Sequence, residues 1–391
     1  MKWKEYSLDE LIHIKHGYAF KGEFFSDEPT DDILLTPGNF AIGGGFKAQK
    51  LKYYNGDFPV DYILDENDVI VTMTDLSKEA DTLGFSAKVP AWYGKRFLHN
   101  QRIGLVKLKT DDFDQDYLYW LMRTFSYQRF VANGATGATV KHTSPTKICQ
   151  YKFTAPVDKT TQRKIASILS AYDDLIENNL KRIKLLEDKA FASYKLIVNS
   201  EKLSKVKLSE VAILNEESLK ANSNLDKILY VDIASVSTGS IDNKTEYELK
   251  EAPGRAKRIL KHQDIIWSCV RPNRKSYSFV WRPEENLIAS TGFAVITAKT
   301  IPATFLYQLV TANEFVNYLE NHAKGATYPA VTASDFEEAT IQIASDSVMK
   351  EYHEEVNQCF ELKHILQKQN TKLREARDIL LPKLINGQIE V

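Results

Sequence analysis

Residues 160–199 contain neither Gly nor Pro and are rich in Leu, Lys, Glu and Ala, which favours one uninterrupted helix. Apolar or seam-compatible side chains recur at Ile165, Ile168, Tyr172, Leu175, Asn179, Ile183, Leu186 and Ala190. Steps of three and four residues keep these positions on one narrow face, the pattern of a coiled-coil seam. Asp158 and Thr160 are candidate caps at its start. At 1.5 Å per residue such a helix is about 60 Å long, too long to lie inside one compact domain. It reads as a spacer.

Residues 347–386 carry a second helical pattern, with Tyr352, Cys359, Leu366, Leu373 and Leu380 at seven-residue intervals and Leu362 and Ala376 filling part of the seam. Lys195-Leu196-Ile197 repeats as Lys383-Leu384-Ile385, Gly137-Ala138-Thr139 as Gly325-Ala326-Thr327, and Leu118-Tyr119 as Leu306-Tyr307, each pair 188 positions apart. One gap-free offset therefore runs from about residue 117 to residue 199, and the chain is a tandem duplication of a globular unit plus a long helix.

The globular units read as β-rich. In the first, strand patterns fall at 33–36, 68–72 and 102–108; in the second, at 228–231, 264–267 and 292–296. A short strand and a capped turn open each unit, at Trp3 to Leu11 and at Lys205 to Val211. Each closes with a helix (116–130 or 304–319), a small-residue loop (133–139 or 321–327) and a return strand (150–155 or 338–344). The order is shared but the offset drifts, which describes one scaffold carrying two different sets of loops. Variable loops on a fixed scaffold are where specificity resides. The expected fold class is α+β, with globular domains over 1–156 and 200–345 and long helices over 157–199 and 346–391.

No P-loop, GxGxxG after a strand, HExxH or Asn/Asp-Pro-Pro-aromatic motif is present, so no catalytic residue is expected. Gly43-Gly44-Gly45 reads as a turn. The eight histidines and the three cysteines, Cys149, Cys269 and Cys359, are scattered, so neither a metal nor any other cofactor is expected. No apolar run is long enough to span a bilayer, and the opening MKWKEYSLDE is no signal peptide, so the expected place is a reducing cytoplasm. A net charge of −1 gives no global pull on nucleic acid, so any such binding needs local basic surface. The segment 133–147 supplies it, with Thr136, Thr139, Lys141 and His142; its repeat keeps Lys324 and Thr327. Small residues let backbone approach a phosphate, and hydroxyls and Lys add donors. The plainer alternative is a structural turn joining helix to strand. Lys47 and Lys50 add charge in the first unit, and Arg271, Asn273 and Arg274 in the second, where Arg and Asn suit guanine and adenine edges.

In that order of parts the chain resembles the specificity subunits of type I restriction-modification systems. The resemblance spans essentially the whole length. It is carried by Trp3 to Leu8, by Leu35-Thr36-Pro37-Gly38-Asn39, and by Asn67-Asp68-Val69-Ile70 with its counterpart Gln263-Asp264-Ile265-Ile266. Asn100-Gln101-Arg102, Ser290-Thr291-Gly292, the Gly-Ala-Thr loops and Gln162-Arg163-Lys164-Ile165-Ala166 complete it. Met349-Lys350-Glu351-Tyr352-His353 departs from the family's opening of the second helix. The resemblance implies two target-recognition domains on double-stranded DNA and two long helices packed as an antiparallel coiled coil with internal pseudo-two-fold symmetry. Two methyltransferase subunits, and restriction subunits, are the implied partners. It also places Thr36, Asn39, Arg102 and Thr291 among the DNA-binding candidates. The rival readings are a coiled-coil adaptor whose globular units bind protein, and an enzyme with an unrecognised motif.

Overall fold

The two long helices form over Lys159–Ser200 and Asp346–Ile385 in a computed structural model of the chain, which describes every residue except 1, 50, 78, 221 and 222. The chain divides into two compact units, Met1–Glu177 with Thr371–Val391, and Asn178–Asn370. The division falls inside both helices, so each globular region keeps the helical segments that pack on it. In the first unit the start of the first long helix meets the end of the second, Asp173 pairing with Arg377 at 2.5 Å. In the second, Glu187 pairs with Lys363 at 2.7 Å and Tyr352 donates its hydroxyl to the Ala190 carbonyl at 3.1 Å. Each unit thus holds an antiparallel helix pair.

The first unit is built on a four-stranded antiparallel sheet ordered Ile12–His16, Ile103–Leu108, Val69–Thr72, Ser86–Lys88. Both faces of this sheet are covered, which is why Val69, Ile70, Val71, Ile103 and Val106 are all buried instead of alternating with polar residues. On one face Ile70, Ile103 and Leu105 pack with Ile33, Leu35 and Phe97 of a second, five-stranded sheet region. On the other, Val71 and Val106 share a core with Trp120, Ile165, Leu169, Leu381 and Leu384. The helix ends are therefore part of the domain core. Gln162 is fully buried there: its carbonyl accepts from the Asp114 amide and its amide donates to the Pro156 carbonyl, each at 2.8 Å. Near the start of the second long helix no glutamine plays this part; Met349 and Tyr352 fill the core and His353 meets the Thr304 hydroxyl at 3.0 Å.

The second unit repeats the plan, with sheets ordered Ala212–Leu214, Phe293–Ala298, Ile265–Ser268, Tyr277–Phe279 and Thr245–Glu248, Lys227–Val231, Leu287–Ser290, Ala256–Ile259. The 188-residue offset is structural: Gln115, Phe125, Pro145 and Lys152 begin elements whose counterparts begin at Ala303, Asn313, Ala333 and Thr340. Two expectations need correction. Each closing helix is two helices, Gln115–Leu121 with Phe125–Asn133, and Ala303–Thr311 with Asn313–His322. In the first unit Thr124 caps the restart by accepting from the Tyr127 amide. Short helices, Pro145–Cys149 and Ala333–Glu337, also precede the return strands. Among the described residues no helix is long and apolar enough to cross a membrane.

Candidate nucleic-acid interface

In the second unit the strand Ile265–Ser268 runs out into a surface where four segments meet. The Cys269 amide donates to the Gly292 carbonyl at 2.8 Å, and its carbonyl accepts from the Val331 amide at 2.9 Å. The Arg271 amide donates to the Pro329 carbonyl at 2.7 Å, and Lys324 and Ala330 exchange two backbone bonds of 2.9 Å that close a hairpin. The Thr291 amide donates to the Arg255 carbonyl at 2.8 Å. Gly325 allows the tight hairpin at φ +108°, where a Cβ would press on the Tyr328 carbonyl at 3.1 Å. Arg271 and Lys275 flank the 3-10 turn Pro272–Arg274 at φ 52° and 53°, a left-handed conformation uncommon for residues with a Cβ. That turn holds Asn273 and Arg274 exposed, beside exposed Thr291, Lys324 and Thr327. Arg271 itself is half-buried and engaged, donating from Nη2 to the Thr327 carbonyl at 3.1 Å and lying 4.6 Å over the Tyr328 ring.

The first unit builds the same junction with other side chains. The Met73 amide donates to the Arg102 carbonyl at 2.9 Å and its carbonyl accepts from the Thr143 amide at 3.0 Å. Thr136 and His142 close the hairpin with bonds of 2.9 and 2.8 Å, and Lys141–His142 pairs antiparallel with Thr74–Asp75. Gly137 has φ +98°, and a Cβ there would lie 2.0 Å from the Val140 carbonyl, so this position excludes any other residue. Arg102, Thr136, Thr139 and His142 are exposed and Lys141 is half-buried; His142 Nδ1 lies 3.2 Å from the Thr74 hydroxyl. Within the same segment Ser144 caps the helix Pro145–Cys149, and Lys147 Nζ donates to the Gly134 carbonyl at 2.7 Å. The Ser144 hydroxyl, which accepts from the Lys147 amide, and the Lys147 ammonium are thus both spent on the segment itself.

The candidates at 36–47 do not join this junction through any hydrogen bond among the described residues. Asn39 is 1% exposed; its side-chain oxygen accepts from the Thr36 amide at 2.8 Å and its nitrogen donates to the Lys47 carbonyl at 3.2 Å. Asn39 is therefore a staple of its own turn, with no amide edge left for a base. Thr36 is half-buried as the residue before that turn, and Lys47 is exposed. Lys50 lies outside the described residues. The glycine run 43–45 wraps Arg123, whose Nε donates to the Gly43 carbonyl at 3.0 Å.

Electrostatics separates the two junctions from much of the basic surface. Lys52, Lys95, Lys227, Lys244 and Lys261 are each neutralised by a carboxylate partner. Arg102, Lys141, Arg274 and Lys324 make no salt bridge among the described residues, although Lys324 lies near enough to Asp335 to help lower the pKa of its carboxyl. Unpaired cations beside exposed hydroxyls and small-residue backbone suit phosphate oxygens, and the planar edges of Arg274 and Asn273 suit base edges. Tyr328, 66% exposed on the second hairpin, was missed from sequence; a lone aromatic inside a small-residue loop was its only signal.

Residues 1–188 match the family described as type I restriction modification DNA specificity domain. The chain is similar to the specificity subunit of the type I restriction enzyme MjaIX of Methanocaldococcus jannaschii, with 26% identity over 71% of this chain and 69% of that one. It is also similar to the EcoBI specificity subunit of Escherichia coli, with 21% identity over 99% of this chain and 86% of that one. The fold matches the crystal structure of a type I restriction-modification S subunit from M. genitalium, with TM-score 0.58, 17% identity, and coverage of 98% and 96%.

Proposed function

We propose, from the premise that this chain belongs to the type I restriction-modification specificity subunits, that it is the non-catalytic DNA reader of such an enzyme. Each unit reads one half of a bipartite double-stranded target. The antiparallel helix pair sets the unread spacer between the halves and scaffolds two methyltransferase subunits, with restriction subunits joining them. Methylation and cleavage belong to those partners. Within each unit the hairpin binds backbone, through Thr136, Thr139, Lys141 and His142 in the first and Lys324 and Thr327 in the second. Arg102 reads base edges in the first unit, and Asn273, Arg274 and Thr291 in the second.

The observation that carries this reading is the repetition of one junction, strand end plus glycine-turned hairpin plus unpaired cations, at equivalent positions of two units that differ in the side chains presented. A duplicated scaffold with divergent readers is what recognition of two different half-sites requires. The test is co-expression with a methyltransferase subunit and genome-wide mapping of methylated adenines. Two half-sites separated by a fixed gap are expected. Replacing residues 1–155 with the equivalent unit of a relative should change one half only; a change in both halves would refute independent reading.

A further inference from the structure

Tyr328 stands on the 324–330 hairpin with 66% of its surface exposed. The Arg271 guanidinium lies 4.6 Å from its ring centre while Nη2 donates to the neighbouring Thr327 carbonyl at 3.1 Å. The Arg271 amide also donates to the Pro329 carbonyl, so backbone and side chain grip both flanks of the tyrosine. One ring face is thereby backed by a fixed cation, and the high exposure leaves the other open. The scaffold does not require this pair. At the matching bridge of the first unit, Thr74 with His142 in place of Val270 with Ala330, the next residue is Asp75 and the tyrosine position is Val140. Asp75 turns instead to the Ser77 and Thr82 amides at 2.7 and 2.6 Å. Both members of the pair are thus specific to the second unit, and exposed Asn273, Arg274 and Lys324 surround them.

We propose that Tyr328, backed by Arg271, is a stacking platform for a nucleobase of the half-site read by the second unit. A base drawn out of the duplex stack exposes a π-face, and an aromatic ring held from behind by a guanidinium meets it without rearranging its own side chain. Arg271 is the positioning residue. The proposal rests on the DNA-reading function above. Its test uses the full chain with its methyltransferase subunits and duplexes of the mapped target carrying 2-aminopurine at each position of the second half-site in turn. The wild-type complex should change the fluorescence at one position. Tyr328→Ala should abolish that change and weaken specific binding about ten-fold. Tyr328→Phe should keep both. Arg271→Ala should reproduce most of the loss and add little in the double variant. Wild-type affinity and an unaltered fluorescence profile in Tyr328→Ala overturn the platform while leaving the reading function intact. A loss equal on all duplexes, with a flat profile in the wild type, overturns it too, because the pair then only supports the loop. A wild-type complex unable to tell target from scrambled duplex overturns the reading function, and the platform with it.

Discussion

Asp173 is the residue on which the first unit's helix ends converge. Its carboxylate pairs at 2.5 Å with Arg123, which is almost wholly buried, and at 2.5 Å with Arg377 of the second long helix. Arg123 also stacks 4.3 Å from the Trp120 ring and holds the Gly43 carbonyl. Burial alone would raise the Asp173 pKa, but the two guanidiniums outweigh it and hold the carboxyl below its usual range. Asp173→Asn leaves buried Arg123 with no counter-charge and Arg377 with Asp378 alone, and should cost about 3 kcal/mol in urea unfolding. A folded-state pKa lower than the unfolded one gives stability that is present above about pH 4 and lost as pH falls further. His99 acts in a higher window. Wholly buried, it donates from Nε2 to the Ile103 carbonyl at 2.9 Å, its Nδ1 has no partner among the described residues, and desolvation lowers its pKa to about 4. The unfolded chain takes up a proton near pH 6.5 that the folded chain refuses, so stability should fall by up to about 3 kcal/mol between pH 6.5 and 4. Urea midpoints across that range, flattened in His99→Gln, check it.

The long helices show how far periodicity carries and where it stops. In the second, Met349, Tyr352, Val356, Cys359, Lys363, Leu366 and Asn370 are buried in alternating steps of three and four; of the expected seam Tyr352, Cys359 and Leu366 are buried, Lys363 takes the place of half-buried Leu362, and Leu373, Ala376 and Leu380 are half-buried. In the first, Ile165, Asn179, Ile183 and Ala190 are buried as expected, but Ile168 and Leu175 are exposed and Leu169 and Ile176 take their places. The buried positions, with half-buried Tyr172 and Leu186 between them, step alternately by four and three, so the seam keeps its 3.5-residue period with the intervening positions one residue later, and packing of the helix start on a globular core adds Ala166 beside it. The duplication and the Gly-Ala-Thr loops were legible because they rest on local chemistry repeated at a fixed offset, whereas the order of strands within the sheets was not, because it depends on long-range pairing. The burial of Asn39 was not, because it follows from a turn closed by Lys47, eight residues away. The Asn179–Asn370 pair is a further element-scale device: both are buried, and the Asn179 amide donates to the Asn370 carbonyl oxygen at 2.9 Å. Asn179→Leu alone strands the Asn370 amide and should cost about 1–3 kcal/mol. Replacing both with Leu should recover that loss or exceed it, since an apolar seam needs no partner. Chemical denaturation of both single variants and the double closes the cycle.

At the scale of the whole chain, the proposed ruler makes a quantitative demand on the two helices. Insertions have to leave each unit's own contacts whole, which fixes where they go. Asp173 with Arg377 belongs to the first unit, and Asn179 with Asn370 and Glu187 with Lys363 belong to the second. Seven residues added after Glu177 and seven after Asn370 therefore separate no packed pair within either unit, and the heptad phase returns after each insertion. At 1.5 Å per residue each helix lengthens by about 10 Å. With DNA rising about 3.4 Å per base pair, the preferred spacer should grow by about three base pairs. Three base pairs also turn the duplex by roughly a third of a helical repeat, which the coil need not follow, so affinity should fall even as the preferred spacing lengthens. Methylome mapping with the partner subunits present reads both quantities at once. A longer gap between unchanged half-sites supports the ruler. An active variant that keeps the original gap would mean that contacts other than these helices set the distance.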